Sequence, residues 1–422
     1  MAISFEFAPV KLVYGGEALG FHAGGTVLAP RVLPGERAEV EEVRRQKGVV
    51  HARPLKILEA GRERIAPLCP HFGDCGGCDY QHLNYAAQLA AKVEILRETQ
   101  RRLGRVQWDG PIPAHSGSEW NYRNQAQLKV GKSPDGRAEL GFFAAESNRL
   151  VAIDSCPILS PRLNALIAAL RREPWISELV HVEGVELLAD DRDEKVMLTI
   201  AAGWPPQLQR KFAEKCLGEL GVSTVAFAAE AKAQVSGEPH LTYRVGEFAY
   251  RISPGSFFQS ARFLLPELVA GVTAGRSGGV ALDLYSGVGL FTLPLAQKFE
   301  QVIAVEAQPS AAADLAANAR LVPGNKIRAV AASAFDFLRR CAQRDVDLVM
   351  MDPPRAGADA ATLKLLVELR PKLLHYVSCS PPTLARDLGL LLRHGYRLDN
   401  LELFDCFPHT YHIESLARLS RI

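Results

Sequence analysis

The sequence predicts a multidomain protein: a small β-barrel at the N-terminus, an α+β middle domain, and a doubly wound α/β domain at the C-terminus. Three observations predict it. A chain of 422 residues exceeds what one ordinary hydrophobic core covers. The first sixty residues carry short β-type runs (11–14, 25–29, 38–43 and 48–52) broken by Gly15, Gly16, Gly24, Gly25, Pro30, Pro34 and Gly35. That is the rhythm of a small barrel, the oligonucleotide-binding type included. From residue 278 onward, short apolar runs (280–284, 301–305, 326–330, 347–351 and 374–378) alternate with helical stretches such as 311–321 and 360–369. Strands buried on both faces read as continuous apolar runs, so this alternation predicts a parallel sheet with its ligand at the strand C-termini.

Between these regions, residues 85–103 carry Leu89, Val93 and Leu96 at helical spacing and stop at Gly104. Apparent strands at 126–130, 140–143, 185–188 and 195–201, with a helix at 162–171, make the middle region α+β. The expected division is 1–62 for the barrel, 63–80 with 113–256 for the middle domain, and 81–112 with 257–422 for the α/β domain.

Hydrophobic residues at 48% and charged residues at 23% match a soluble globular protein. No basic leader precedes an apolar core and no apolar run is long enough to span a bilayer. A cytoplasmic monomer without membrane contact is therefore expected. A net charge of +2 excludes nucleic-acid binding by bulk electrostatics. A local patch would have to serve, and Arg44, Arg45, Lys47, Arg53, Lys56, Arg62 and Arg64 against Glu59 and Glu63 form a candidate. They read equally as a solvated polar face or an RNA contact surface.

The segment from Ala281 to Ala296 is a strand, a turn with Gly287 and Gly289, and a helix start. The glycines let the backbone approach a ligand. Thr292 stands where a dinucleotide fingerprint needs its third glycine, which counts against a dehydrogenase. The next strand ends in Glu306, a side chain able to accept hydrogen bonds from ribose hydroxyls. A strand then ends in Asp352-Pro353-Pro354-Arg355, whose prolines fix a rigid turn that holds the Asp352 carboxylate toward the ligand. Another strand ends at Cys379, directly before a helix over 383–392. A helix N-terminus favours the thiolate, which makes Cys379 a candidate nucleophile of lowered pKa. Glu414, where a loop enters an apolar strand over 416–422, is a candidate base, with His412 as its rival.

Ser378-Cys379-Ser380-Pro381-Pro382-Thr383-Leu384-Ala385-Arg386-Asp387, Asp352-Pro353-Pro354-Arg355, Phe258-Gln259-Ser260 and His412-Ile413-Glu414 together resemble the bacterial RNA uracil-C5 methyltransferases of the TrmA and RlmD type. The resemblance covers nearly the whole chain. It implies a class I S-adenosylmethionine (AdoMet) dependent methyltransferase fold behind an RNA-binding TRAM barrel. It makes Cys379 the nucleophile and Glu414 the base, and it places Gln259, Tyr285, Glu306 and Asp352 around AdoMet. The chemistry agrees, because uracil C5 becomes nucleophilic only after a thiolate adds to C6. Arg355 stands where amine methyltransferases carry a base-stacking Tyr, which leaves carbon methylation open. Two departures from the family are Ser380 after the nucleophile and Leu290 after the second glycine, where Asn is usual; they bear on one cofactor contact.

Eight cysteines in a chain with no secretion signal point to metal binding or catalysis rather than disulfides. Cys69, Cys75 and Cys78 cluster among Gly73, Gly76 and Gly77, with Cys156 as a fourth ligand and His71 and His82 as substitutes. Four thiolates suit zinc or iron-sulfur alike, and the resemblance to the RlmD type implies a structural [4Fe-4S] cluster and ribosomal RNA as the partner. Transfer RNA is the alternative substrate. A catalytically silent RNA-binding or assembly protein is the competing class, with Leu290 and Ser380 as its supporting features. A cytosine-C5 enzyme, whose nucleophile often follows Pro, is disfavoured by Ser378.

Overall fold

The computed structural model describes residues 3–133, 136–228, 234–343 and 345–422. Near the N-terminus, six strands form one sheet in the order Ser4–Phe7, Arg37–Gln46, Val49–Glu59, Gly25–Pro30, Glu17–His22, Pro9–Leu12. The strands at its two ends are separated in sequence by Ala8 alone, so the sheet curls back on itself. Phe7, Val27, Ala29, Val32, Ala38, Val40, Val50 and Ala52 fill the interior. Gly20 is required there, since a Cβ would sit 2.6 Å from the Phe7 ring. The expected strand at 11–14 ends instead at Leu12. Tyr14 lies in a turn that Gly15 (φ 112°) and Gly16 (φ 87°) make possible.

The expected basic patch is partly neutralised. Arg45, Arg53 and Arg64 pair with Glu42, Glu41 and Glu36, and Arg44 approaches Glu146 at 3.9 Å. Charges within residues 44–64 are offset by carboxylates from outside that window.

The middle region forms a seven-stranded sheet in the order Leu150–Ala152, Ala138–Phe143, Gln125–Lys132, Gly184–Ala189, Val196–Ala201, Thr224–Phe227, Gln234–Gly237. Its single parallel pair, Val196–Ala201 with Thr224–Phe227, is joined by the helix Pro206–Glu219, the crossover that parallel pairing demands. Leu163, Leu166, Ile167 and Leu170 of the helix Pro161–Leu170, with Phe212 and Cys216, bury its covered face.

In the C-terminal sheet the strands are β1 Gly278–Leu284, β2 Phe299–Glu306, β3 Ile327–Ala331, β4 Leu348–Met351, β5 Leu373–Ser378, β6 Tyr396–Phe404 and β7 Glu414–Arg421. Their order is β3-β2-β1-β4-β5-β7-β6, with Ala114–His115 added beside β6. The first five are parallel, as the apolar runs predict. The sheet is not parallel throughout, because β7 runs antiparallel between β5 and β6. This reversal places the start of β7 beside the end of β5, which is the ligand-facing edge.

Helix α1, Tyr85–Thr99, is capped by the Asn84 side chain accepting from the Ala87 amide at 2.9 Å. The expected helix to 103 continues past α1 as a wider π-helical turn, Gln100–Gly104. There α1 meets helix α2, Pro381–Arg393, so closely that a Cβ on Gly104 would lie 2.3 Å from the Ala385 carbonyl oxygen. Leu96, Ile95 and Val106 thereby join the core beneath β4 and β5. No described helix is long and apolar enough to cross a membrane.

Candidate active site

The turn after β1 is built for close approach. Ser286 donates its backbone N–H to the Val305 carbonyl at 3.1 Å, and Gly287 (φ 56°) and Gly289 (φ 100°) take left-handed conformations. Tyr285 also has φ 60°, a conformation that costs a residue with a Cβ roughly 1–2 kcal/mol. Such strain is held in place only by a well-determined surrounding. The Tyr285 ring packs on the main core and its hydroxyl faces Thr362. Glu306 ends β2 and accepts from the Gly287 N–H at 2.8 Å and the Gln308 N–H at 2.7 Å. Leu290 is buried in the second core, where its carbonyl accepts from the Tyr250 hydroxyl at 2.9 Å.

Asp352 ends β4, and its carboxylate accepts from Gln259 Nε2 at 3.2 Å. Two of the expected cofactor residues, from segments 93 positions apart, thus meet directly. Burial pushes the Asp352 carboxyl well above its ordinary range. In β1, burial drives the Asp283 carboxyl up to about 7, against the Thr292 hydroxyl that donates to it, while Asp352 and Glu306 add to the rise. Asp283 Oδ1, Ser286 Oγ and Glu414 Oε1 are buried without a protein partner among the described residues. Such unpaired acceptors at the strand mouths are unfavourable until a ligand donates to them, and they fit a cofactor with hydroxyl and amino donors.

Cys379 follows β5 directly and Glu414 opens β7. The Ser378–Ser415 pair sets their register, and the Ser415 hydroxyl donates to the Ser378 carbonyl at 3.1 Å. Glu414 is 3% exposed, and burial with the nearby Asp352 charge raises its carboxyl far above the usual carboxylate range. The Cys379 thiol is pushed up to about 12, first by burial and then by Glu414 and Asp352, with Arg355 opposing. This corrects the expectation of a thiol lowered by a helix N-terminus. Helix α2 begins with Pro381 and Pro382, which have no N–H to offer a thiolate, and the Ser380 side chain makes no cap. Burial of the thiol, with two carboxylates beside it, outweighs what remains of the helix dipole.

His412, the rival base, is driven down to about 4 by burial and by Arg355. Its Nε2 lies 3.2 Å from Arg355 Nη2, so it serves as the guanidinium's neighbour. The loop between β6 and β7 is strapped from outside the sheet. The His409 carbonyl accepts from the Asp79 and Tyr80 amides at 2.8 and 2.9 Å, and Tyr411 donates its N–H to Asp79 Oδ2 at 3.0 Å. Lys92 on α1, fully buried, donates to Asp405 at 2.6 Å and to the Phe407 carbonyl at 2.9 Å. Sequence reasoning missed these residues, and Tyr14 with them. The available signal was Gln88 and Lys92, one turn apart on the face of α1 that also carries Ile95 and Leu96.

All four expected metal-ligating cysteines, Cys69, Cys75, Cys78 and Cys156, line one cavity of about 310 Å³. His71 lines it too, whereas His82 is not among its walls. The loop is pinned to the middle sheet by the Gly76 N–H donating to the Phe143 carbonyl at 3.0 Å. Burial and the neighbouring thiols raise Cys78 to about 12 and Cys156 to about 11. Among the described residues no three His, Cys, Asp or Glu side chains converge tightly enough to hold a single metal ion.

With this geometry in view, residues 84–422 match the family model described as tRNA (Uracil-5-)-methyltransferase. The chain belongs to this family. An uncharacterized RNA methyltransferase of Aquifex aeolicus is 34% identical over 97% of this chain and 96% of its own length. The 23S rRNA (uracil(1939)-C(5))-methyltransferase RlmD of Alkalilimnicola ehrlichii is 32% identical over 99% of this chain and 96% of its own. The crystal structure of the Pyrococcus abyssi tRNA (uracil-54, C5)-methyltransferase in complex with S-adenosyl-L-homocysteine superposes with a TM-score of 0.77. It is 25% identical and covers 98% of this chain and 100% of that one. The fold is thus that of a uracil-C5 methyltransferase crystallised with the demethylated cofactor product.

Proposed function

We propose that the protein transfers a methyl group from AdoMet to C5 of a uridine in RNA, 23S ribosomal RNA in particular, through a covalent bond between Cys379 Sγ and uracil C6. The observation that carries this reading is the meeting of a thiol, Cys379, with a buried carboxyl, Glu414, at the sheet edge that also presents Asp352 and Glu306. Full-length similarity to the RlmD proteins supports the ribosomal substrate.

AdoMet supplies a methyl group on a sulfonium. Gln259, Tyr285, Glu306 and Asp352 would hold it, with Glu306 suited to accept from ribose hydroxyls. Cys379 loses its proton through the partly open mouth, with Arg355 as the cation offsetting the thiolate. The sulfur electron pair forms the S–C6 bond, and the C5=C6 pair shifts to make C5 an enolate carbon. The C5 electron pair would form the bond to the methyl group as the methyl–sulfur bond breaks and its electrons stay on the departing sulfur, after which Glu414 removes the C5 proton. The C–H electrons restore C5=C6 and the S–C6 pair returns to Cys379. The raised affinity of Glu414 for protons suits it to this last step.

The N-terminal sheet is read as the TRAM barrel that grips RNA. Its strand order ends on two strands joined by one residue, which supports closure, and Phe21, Val43, Leu55 and Leu58 stand exposed on it. The cavity of four cysteines is read as the seat of a [4Fe-4S] cluster. Four thiols around one cavity are a donor set that a tetrahedral zinc would also accept, and zinc is the alternative occupant. The cluster would act as a cross-link, held by Cys69, Cys75, Cys78 and Cys156, between the cysteine loop and the middle sheet.

Mapping 5-methyluridine in ribosomal and transfer RNA from cells with and without the gene tests the reading. Loss of one ribosomal 5-methyluridine is expected. An unchanged map in both RNAs would refute it. Brown purified protein carrying stoichiometric iron is expected, and colourless protein carrying stoichiometric zinc would refute the cluster.

A further inference from the structure

The N-terminal barrel reaches the methyl-transfer site with one side chain. Its turn between Pro9–Leu12 and Glu17–His22 carries Tyr14, whose ring meets Tyr411 edge to face with centroids 5.3 Å apart. Both rings pack on the core that underlies β4 and β5, and both remain partly exposed. The Tyr14 hydroxyl faces the side chain of Ser380, the residue after Cys379, and lies within electrostatic reach of Cys379 and Arg355.

The turn is docked, not loosely appended. A Cβ on Gly16 would lie 3.0 Å from the Asp79 carboxylate, the same group that accepts the Tyr411 N–H. Lys11, on the strand leading into the turn, pairs with Glu98 of α1. Val13 donates its N–H to the Glu17 carbonyl at 2.9 Å and closes the turn. Three segments distant in sequence, residues 11–17, 79 and 411, therefore fix one aromatic corner beside the thiol.

Structural packing alone would account for a fully buried Tyr14. A partly open ring against a second open ring, at the mouth of a site whose floor is a thiol and two carboxylates, has a different use. Aromatic faces are the surfaces on which proteins hold unstacked bases, and every base has a π-face to offer. A uridine presented to Cys379 must leave its stack, and a wall is needed to hold it or the nucleotide next to it.

We propose that Tyr14 is a substrate-contacting residue of the methyl-transfer site, the barrel's contribution to an aromatic corner with Tyr411 that holds the unstacked nucleoside against Cys379. The inference rests on Cys379 being the nucleophile. It makes the barrel part of the base pocket as well as a grip on the RNA, so that the site is complete only with the barrel docked.

The test compares Tyr14→Ala and Tyr14→Phe in the full-length protein, with methyl transfer to the RNA substrate and AdoMet binding measured side by side. Tyr14→Ala is expected to lower kcat/KM for RNA by about 10- to 100-fold, the range that base–aromatic contacts carry. AdoMet affinity and melting temperature should stay close to wild type, and Tyr14→Phe should restore most of the loss. Wild-type kcat/KM in a folded Tyr14→Ala protein overturns the proposal. A parallel loss of AdoMet binding, or an equal loss in Tyr14→Phe, overturns it as well, since either assigns Tyr14 another role. Because Tyr14→Ala can undock the turn, Tyr14→Leu, which keeps the apolar bulk, is measured alongside; a folded Tyr14→Leu with full activity also overturns it. Cys379→Ala separates the two levels. Methylation by Cys379→Ala refutes the nucleophile itself, whatever the Tyr14 variants show.

Discussion

The Ser415 hydroxyl donates to the carbonyl of Ser378 at 3.1 Å, across the antiparallel pair of β5 and β7. Those two residues precede Cys379 and follow Glu414, so one short cross-strand link sets nucleophile and base at a common edge. Parallel neighbours of β5 present only their own C-terminal ends there. The reversed strand is what lets a residue at a strand N-terminus face a residue just past a strand C-terminus.

Replacement of Glu414 by Gln separates bond formation from release. Cys379 can still add to C6 and C5 can still be methylated, but no carboxylate takes the C5 proton. The expected outcome is a methylated protein–RNA complex that accumulates, with turnover reduced by about 100-fold or more. Mass spectrometry of the denatured complex checks it. Normal turnover in Glu414→Gln would return the role to His412.

The directions of the pKa shifts predict an alkaline-leaning rate profile. The free enzyme needs Cys379 as thiolate and Glu414 as carboxylate, and burial favours the protonated form of both. Raising the pH therefore increases the active fraction, and kcat/KM for RNA should climb from pH 6 to about pH 9. Arg355 lowers both groups, so Arg355→Met should move the rising limb further toward alkaline pH. A profile flat across this range would contradict it.

Asp283 makes a stability prediction. Its folded value of about 7 lies above the ordinary carboxyl value of 3.8. A raised carboxyl contributes stability that is fully present below the unfolded value and is lost as pH rises through the folded one. Asp283→Asn removes this titration, so its melting temperature relative to wild type should improve between pH 5 and pH 8. Thermal melts of both proteins without AdoMet at the two pH values check the sign.

Lys92 and Asp405 are both fully buried and pair at 2.6 Å. Removing one member of a buried pair strands the other, at a cost of about 3–5 kcal/mol. Lys92→Met should therefore lower stability by that order, whereas Lys92→Met with Asp405→Leu should recover a large part of it. Denaturant unfolding of the single and double variants measures the difference.

The α/β domain was legible because strands such as β1 and β5 are buried on both faces and read as unbroken apolar runs. Asp352 and Cys379 were legible because each terminates such a run. Glu414 could be named from its motif, but its place beside Cys379 depends on β7 entering the sheet in reverse, which no local pattern records. The thiol's direction was misjudged for a related reason. The helix after Cys379 is visible in sequence, but Glu414 and Asp352 reach the sulfur only through the fold. Lys92 with Asp405, 313 residues apart, and Tyr14 with Tyr411 leave no trace in local periodicity. The basic run at 44–64 could not be decided between a solvated face and an RNA contact surface, because its counter-charges lie outside the run.

The covalent bond at Cys379 is tested most directly by incubating the protein and AdoMet with target RNA carrying 5-fluorouridine, then weighing the denatured product. Fluorine at C5 leaves no proton for Glu414 to remove, so the adduct cannot resolve. A stable wild-type complex joined through Cys379, and none with Cys379→Ala, is the predicted result. A complex of equal yield with Cys379→Ala, or free RNA alone from an active wild-type enzyme, would contradict it.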